Sequence, residues 1–224
     1  MAYTLFIGNK NYSSWSLRPW MLMKARAIPF TEERLSLYVE GSRELLLARS
    51  PSGRVPCLRD GEGSGAVLVW DSLSICEYLA ETHRGLWPEE RIARAWARSA
   101  SAEMHSGFAD LRNEFGMNVR KSLPRVPSSA VAADIARIVA LWNEGRERFG
   151  RGGDFLCGEF SIVDAFFCPV AFRFQTYAVS PEGAAGEYLR SLLALPAMVE
   201  WAEASAAETE VIPMYEPPEV DAKP

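Results

Sequence analysis

The apolar pattern of this chain changes once, near Pro88, and that change limits the fold more than any other feature. Before it, short apolar runs bounded by Gly, Pro, Asn and Asp alternate with segments of helical spacing. Tyr3–Ile7, Glu33–Leu37, Val55–Leu58 and Ala66–Trp70 read as strands, and Ser16–Ala27, Ser42–Ala48 and Asp71–Thr82 as helices. The order is β-α-β-α-β-β-α. After Pro88 no strand signal remains. Ala93, Ala97, Ala100, Met104, Phe108, Leu111 and Phe115 step by three and four, which predicts one long amphipathic helix. A second helix carries Val131, Ile135, Ile138, Trp142 and Phe149 on one face. A third starts at Ser161 and is apolar nearly all round (Ile162, Val163, Phe166, Phe167, Val170, Phe172), so it is expected at the centre of a bundle. Gly186–Ala194 and Pro196–Ala207 read as shorter helices, and the tail from Tyr215 to Asp221 as irregular. The expected organisation is an α+β domain over 1–84, a linker over 85–90 and an all-α helical bundle over 91–224.

Composition narrows the function classes. The 224 residues are 48% apolar and 24% charged, which is globular. The net charge is −5 with no basic stripe, so nucleic acid is not an expected partner. The N-terminus lacks a basic segment followed by an apolar run, and no 18-residue window is free of polar residues. Neither secretion nor a membrane span is expected. Cys57, Cys76, Cys157 and Cys168 lie far apart without a CxxC, as reduced thiols of a cytoplasmic protein do. His83 and His105 are the two histidines, and no HExxH or Cys/His spacing points to a metal.

Three loops that converge on one end of the α+β domain are candidates for chemistry. Val55-Pro56 interrupts a strand. A proline there is either a trans residue on an edge or a cis bond that leaves Val55 free to pair with an extended peptide. Asp71-Ser72 opens a helix, as a cap or as an anion site in which the Ser72 hydroxyl joins the free N–H groups. Tyr12-Ser13-Ser14-Trp15-Ser16-Leu17-Arg18 joins the first strand to the first helix. Ser16 suits the N-cap, which puts Pro19 at the third helical position, and the remaining hydroxyls suit an anion such as a thiolate.

In this order, followed by an all-helical region, these segments resemble a glutathione transferase over nearly the whole chain. Ser13-Ser14-Trp15-Ser16-Leu17-Arg18 is similar to the SSCSxR signature of the zeta class. Ser50-Pro51-Ser52-Gly53-Arg54-Val55-Pro56 resembles the family's NPxGxVP loop with its cis-proline. Trp70-Asp71-Ser72 followed by Ile75, Tyr78 and Leu79 resembles the helix that holds the γ-glutamyl group. Ser161-Ile162-Val163-Asp164 matches the family's capping box, and Pro169 also fits zeta members. Trp15 stands where zeta proteins have cysteine, Arg54 where they have glutamine, and Thr176 where they have arginine. Arg173 lies on the same helix out of register.

The resemblance implies a thioredoxin-like N-terminal domain with glutathione as co-substrate and no metal. It implies a small electrophile as second substrate and a two-fold homodimer in the cytoplasm. Ser13, then Ser14, is the expected donor to the thiol, with Arg18 close enough to favour the thiolate. Val55, Pro56, Asp71 and Ser72 are expected to bind glutathione, with Arg54 or Arg43 near its glycyl carboxylate. Tyr12, Trp15, Met104 and Phe108, with Leu111, are expected around the second substrate.

The chemistry is within reach of these groups. Lowering a thiol pKa from about 8.5 by ~2 units requires about 2.7 kcal/mol of preference for the thiolate. A hydrogen bond to a charged group contributes about 1.5–3 kcal/mol. A helix N-terminus adds ~0.3–1 kcal/mol, more when partly buried. One serine at a helix start suffices, and no histidine base is needed. Three functions are compatible with these residues: conjugation of glutathione to electrophiles, cis–trans isomerisation of an unsaturated diacid as in maleylacetoacetate isomerases, and a non-catalytic partner protein of the same fold.

Overall fold

The structure is a computed structural model and describes residues 2–216. Four strands form one sheet: β1 (Tyr3–Ile7), β2 (Phe30–Arg34), β3 (Cys57–Asp60) and β4 (Val67–Trp70), in the order β2-β1-β3-β4. β1 runs parallel to β2 and antiparallel to β3, and β3 is antiparallel to β4. β1 is buried along its whole length. Its alternation splits it between two faces. Leu5 and Ile7 join the main core with α1 (Ser14–Ala25) and α3 (Ser72–Thr82). Phe6 faces a smaller cluster with Leu35 and Cys57, against which Leu46 of α2 (Ser42–Arg49) packs. The N-terminal region is thus a thioredoxin-like α+β unit, and the longer elements that follow it among the described residues are helices.

These are α4 (Arg91–Ser106), α5 (Ala109–Glu114), α6 (Ser129–Phe149), α7 (Ile162–Thr176), α8 (Gly183–Leu193) and α9 (Pro196–Ala207). All but one residue of α7 are buried, as its all-round apolar pattern requires. α7 packs on α1, so one apolar cluster runs from Tyr3 through to Trp201. No helix among the described residues is long and apolar enough to cross a membrane. The four cysteines are free thiols, and Cys57, Cys76 and Cys168 are buried.

Several expected boundaries move. α1 begins at Ser14, so Ser16 is a buried helical residue and not the N-cap, and Pro19 sits deeper inside the helix. β2 lies at Phe30–Arg34 instead of Glu33–Leu37: its side chains are mostly exposed and charged, and pairing with β1 sets its register. β3 starts at Cys57, after the proline. The long helix expected through Phe115 is two helices, because Phe108 adopts φ 57° and ends the run. Gly107 makes the break possible: a Cβ there would lie 2.8 Å from the Glu103 carbonyl oxygen. Leu86 and Trp87, expected in a linker, are buried, and the Leu86 carbonyl accepts the Ile162 N–H at 2.9 Å. Of the irregular tail, residues 217–221 lie outside the described residues.

Candidate active site

A cleft of about 520 Å³ opens where β1 and β4 hand over to α1 and α3 and where the loop after α2 enters β3. Trp15, Arg54, Val55, Pro56, Asp71 and Ser72 line it. The Val55–Pro56 peptide is cis. Neither the N–H nor the C=O of Val55 has a hydrogen-bond partner among the described residues. Val55 is only half-buried, so an extended peptide could take both groups as a strand would.

Asp71 caps α3, its Oδ1 accepting the N–H groups of Leu73 at 2.8 Å and Ser74 at 3.3 Å. Its φ of 77° is a strained value for a residue with a side chain. The two cap bonds hold it there, together with His105, whose Nε2 lies 3.3 Å from Oδ2. Ser72 is buried beside it, and its hydroxyl accepts from Arg18 Nη1 at 3.4 Å. The cap and the anion site, alternatives in the sequence, occur together: Asp71 satisfies two N–H groups, and Ser72 lies at the first helical position with a cation behind it.

Of the serine loop, Trp15 lines the cleft, and the expected thiol donors Ser13 and Ser14 lie beside it without lining the cleft. Ser13 and Ser14 are 8% and 7% exposed. Ser13 Oγ lies 2.7 Å from Ser16 Oγ, which accepts the Gly8 N–H at 3.1 Å. A Cβ at Gly8 would press on the Leu37 side chain at 2.6 Å and on Ser13 Cβ at 3.2 Å, so a side chain there would have to displace both. Ser14 Oγ accepts from Arg173 Nη2 at 3.3 Å.

Arg173 is the functional candidate that the sequence placed out of register. It lies one turn before Thr176 on α7, and its guanidinium nonetheless spans to the start of α1. Its signal in the sequence is a lone cation in a helix that is apolar all round. With Arg18 and Arg112 it forms a group of three guanidiniums. Burial, reinforced by Arg173 and Arg112, pushes Arg18 down to about 9. Burial and then Arg112 push Arg173 down to about 10, and burial lowers Arg112 as well. Each stays charged at neutral pH, and none has a carboxylate within ion-pair distance among the described residues. The Trp15 ring lies 4.2 Å from the Arg18 guanidinium and 5.6 Å from that of Arg112.

His105 also belongs to this group. Its Nδ1 lies 3.4 Å from Arg18 Nη1, and its ring meets Trp15 edge-on at 5.3 Å. A guanidinium cannot accept, so Nδ1 must accept and the ring proton sits on Nε2, facing Asp71. Burial, stronger than the pull of Asp71, lowers the His105 pKa. The imidazole is therefore expected neutral and Nε2-protonated at neutral pH. Nitrogen chemical shifts of labelled protein check this, and a cationic ring or an Nδ1–H tautomer would contradict it.

Other expected residues lie elsewhere. Tyr12 turns away from the cleft: its hydroxyl donates to Glu216 Oε1 and accepts from Arg120 Nη2 at 3.0 Å. Met104 is fully buried because α4 packs against α7, and Phe108 and Leu111, at the start of and within α5, are buried in the same cluster as α5 packs against α6. None of these side chains lines the cleft. Met104 contributes its backbone carbonyl instead, accepting from Arg18 and Arg112. Arg43 is exposed on α2. Among the described residues no group of His, Cys, Asp and Glu is placed to hold a metal ion.

Comparison with known proteins agrees with this geometry. Residues 12–82 match the family described as Glutathione S-transferase, N-terminal domain. A Caenorhabditis elegans protein named probable maleylacetoacetate isomerase is 32% identical over 104 residues, 45% of this chain. The matched stretch spans about half of that relative, 46% of its length. Among solved structures, the omega-class glutathione transferase 2S of Trametes versicolor superposes with a TM-score of 0.68 at 18% identity, covering 96% of this chain and 99% of that one. A glutathione transferase homologue of Burkholderia gl BGR1, solved with bound glutathione, gives 0.64 at 19% identity, covering 93% and 100%. The tau-class enzyme of mango gives 0.65 at 16% identity, covering 91% and 97%. Residues 12–82 thus match a glutathione S-transferase N-terminal domain, and the chain shares the fold of the solved glutathione transferases.

Proposed function

We propose that this protein is a glutathione transferase that conjugates the glutathione thiolate to small electrophiles. The observation that carries the reading is the cleft itself. It sets the unpaired backbone of Val55 beside a Ser72 hydroxyl at a helix start, next to a serine loop at another helix start. Val55 pairs with the cysteinyl backbone, Asp71 and Ser72 take the γ-glutamyl amine and carboxylate, and Ser13 donates to sulfur. The thiol proton leaves to solvent. The thiolate lone pair then forms the new carbon–sulfur bond while the leaving group departs with its electron pair. Trp15, whose ring lies over the Arg18 guanidinium, forms part of the second substrate's wall.

Calorimetric titration with glutathione, followed by a conjugation assay with an aryl halide, tests the reading. Binding with turnover is expected. No binding would favour the non-catalytic partner protein and overturn the proposal.

A second reading, isomerisation of an unsaturated diacid, is favoured by the three guanidiniums, none with a carboxylate within ion-pair distance among the described residues, and by the named relative. Maleylacetone with glutathione separates it from simple conjugation. In either reading we place the protein in the cytoplasm as a two-fold dimer, with 1–84 and 91–224 as its two domains. Val67, Leu68 and Trp70, exposed on the edge strand β4, support the dimer.

A further inference from the structure

We infer that Ser16 is a positioning residue that commits the Ser13 hydroxyl to donate to sulfur. The inference rests on the reading of Ser13 as the thiol's partner. It begins from where the protons of the two hydroxyls can go.

Ser16 is completely buried, so its proton needs an acceptor inside the protein. Its oxygen already accepts the Gly8 N–H at 3.1 Å. The Ser13 oxygen, 2.7 Å away, is the one acceptor recorded beside it among the described residues. If Ser13 donated to Ser16 instead, the Ser16 proton would be stranded in the core. Ser16 must therefore donate to Ser13. The Ser13 proton then has no acceptor among the described residues, and Ser13 retains some exposure. It is a donor waiting for a ligand.

The result is a directed chain: Gly8 N–H to Ser16 oxygen, Ser16 O–H to Ser13 oxygen, Ser13 O–H to thiolate. Each donor is polarised by the one behind it, so the last is stronger than an isolated serine. The chain also selects one of the hydroxyl's rotors before glutathione arrives, which preorganises the donor. Ser16 touches neither substrate nor sulfur and acts through Ser13.

The test is the ionisation of glutathione bound to Ser16→Ala and to Ser16→Cys, read from thiolate ultraviolet absorbance against pH, with the glutathione Kd measured in parallel. The Ser16→Cys variant keeps nearly the native volume and offers only a weak S–H donor, so a folded variant is available if the smaller side chain disrupts packing. Both substitutions are expected to raise the bound thiol's pKa by about one unit, a roughly tenfold loss of thiolate below it, with Kd nearly unchanged. A role confined to packing would weaken binding and leave the thiol in place. An unmoved thiol in a variant that still binds glutathione overturns the inference while Ser13→Ala still shifts it. If Ser13→Ala also leaves the thiol unmoved, the reading of Ser13 itself fails.

Discussion

Ser13→Ala is expected to lower conjugating turnover about 10²-fold at neutral pH, with a smaller change in glutathione affinity. The magnitude follows from the thiol. Holding it ionised ~2 units below its free value needs about 2.7 kcal/mol, which corresponds to a factor of about 10² in rate. The donor supplies most of that, since a hydrogen bond to a charge contributes about 1.5–3 kcal/mol. The start of α1 and the nearby cations supply the rest. The fold should tolerate the change. Ser13 sits at the N-cap position of α1 but makes no side-chain cap bond, so the helix keeps its cap geometry; alanine removes the contact with Ser16 and leaves the buried Ser16 proton without its acceptor, a cost of about 1–3 kcal/mol.

The pH profile distinguishes loss of the donor from loss of structure. A thiol that has lost its donor still ionises in alkali, so the variant should approach the native rate as pH rises past the free thiol's pKa of about 8.5. A misfolded variant would stay slow throughout. Full activity of Ser13→Ala at neutral pH would remove Ser13 from the mechanism and leave Ser14, held by Arg173, as the candidate donor.

Where the sequence anticipated the structure, hydrophobic period and burial coincide. α6, α7 and α9 lie where the apolar spacing put them, because each buries one face or all of its surface. β1 is legible for the same reason. The misplaced elements have local signals that conflict with tertiary pairing. β2 presents charged and mostly exposed side chains, so its register is dictated by β1 alone. The break between α4 and α5 is invisible to period counting: Met104, Phe108, Leu111 and Phe115 all remain in the core across it. Gly107 was the one local sign.

The cleft was legible through its turns and caps. Val55 and Pro56 lead into β3, Asp71 and Ser72 open α3, and Trp15 lies in the first turn of α1; they meet at the cleft because such strand and helix starts carry recognisable residues. The cationic group was harder to read. Arg18, Arg112, Arg173 and His105 come from α1, α5, α7 and α4, and nothing along the chain indicates that the four helices meet at Trp15. The serine loop itself offered three hydroxyls suited to capping. The choice among them falls to the Gly8 N–H, which draws Ser16 inward.

The other large effect concerns stability and lies away from the cleft. Asp164→Ala is expected to destabilise the protein by roughly 3–5 kcal/mol. Asp164 is completely buried. Its Oδ1 accepts the Leu156 N–H at 3.1 Å and the Tyr188 hydroxyl at 3.0 Å. Its Oδ2 accepts the Ser161 N–H at 2.8 Å and the Ser161 hydroxyl at 3.2 Å. One carboxylate therefore joins the loop before α7, the first turn of α7 and the middle of α8. Burial pushes its pKa up to about 6 against the pull of those donors. A group raised in the folded state contributes less as pH climbs through that value, so part of the donors' benefit is offset at neutral pH. Alanine relieves that offset but strands four buried donors, each costing about 1–3 kcal/mol. The stranded donors outweigh the relief. For a chain of this length the melting temperature should fall by roughly 6–20 °C. Asp164→Asn, which keeps one acceptor oxygen and carries no charge, should fall between native and alanine. A thermal melt of Asp164→Ala superimposable on the native curve would show that the donors find other partners and that α7 does not depend on this carboxylate.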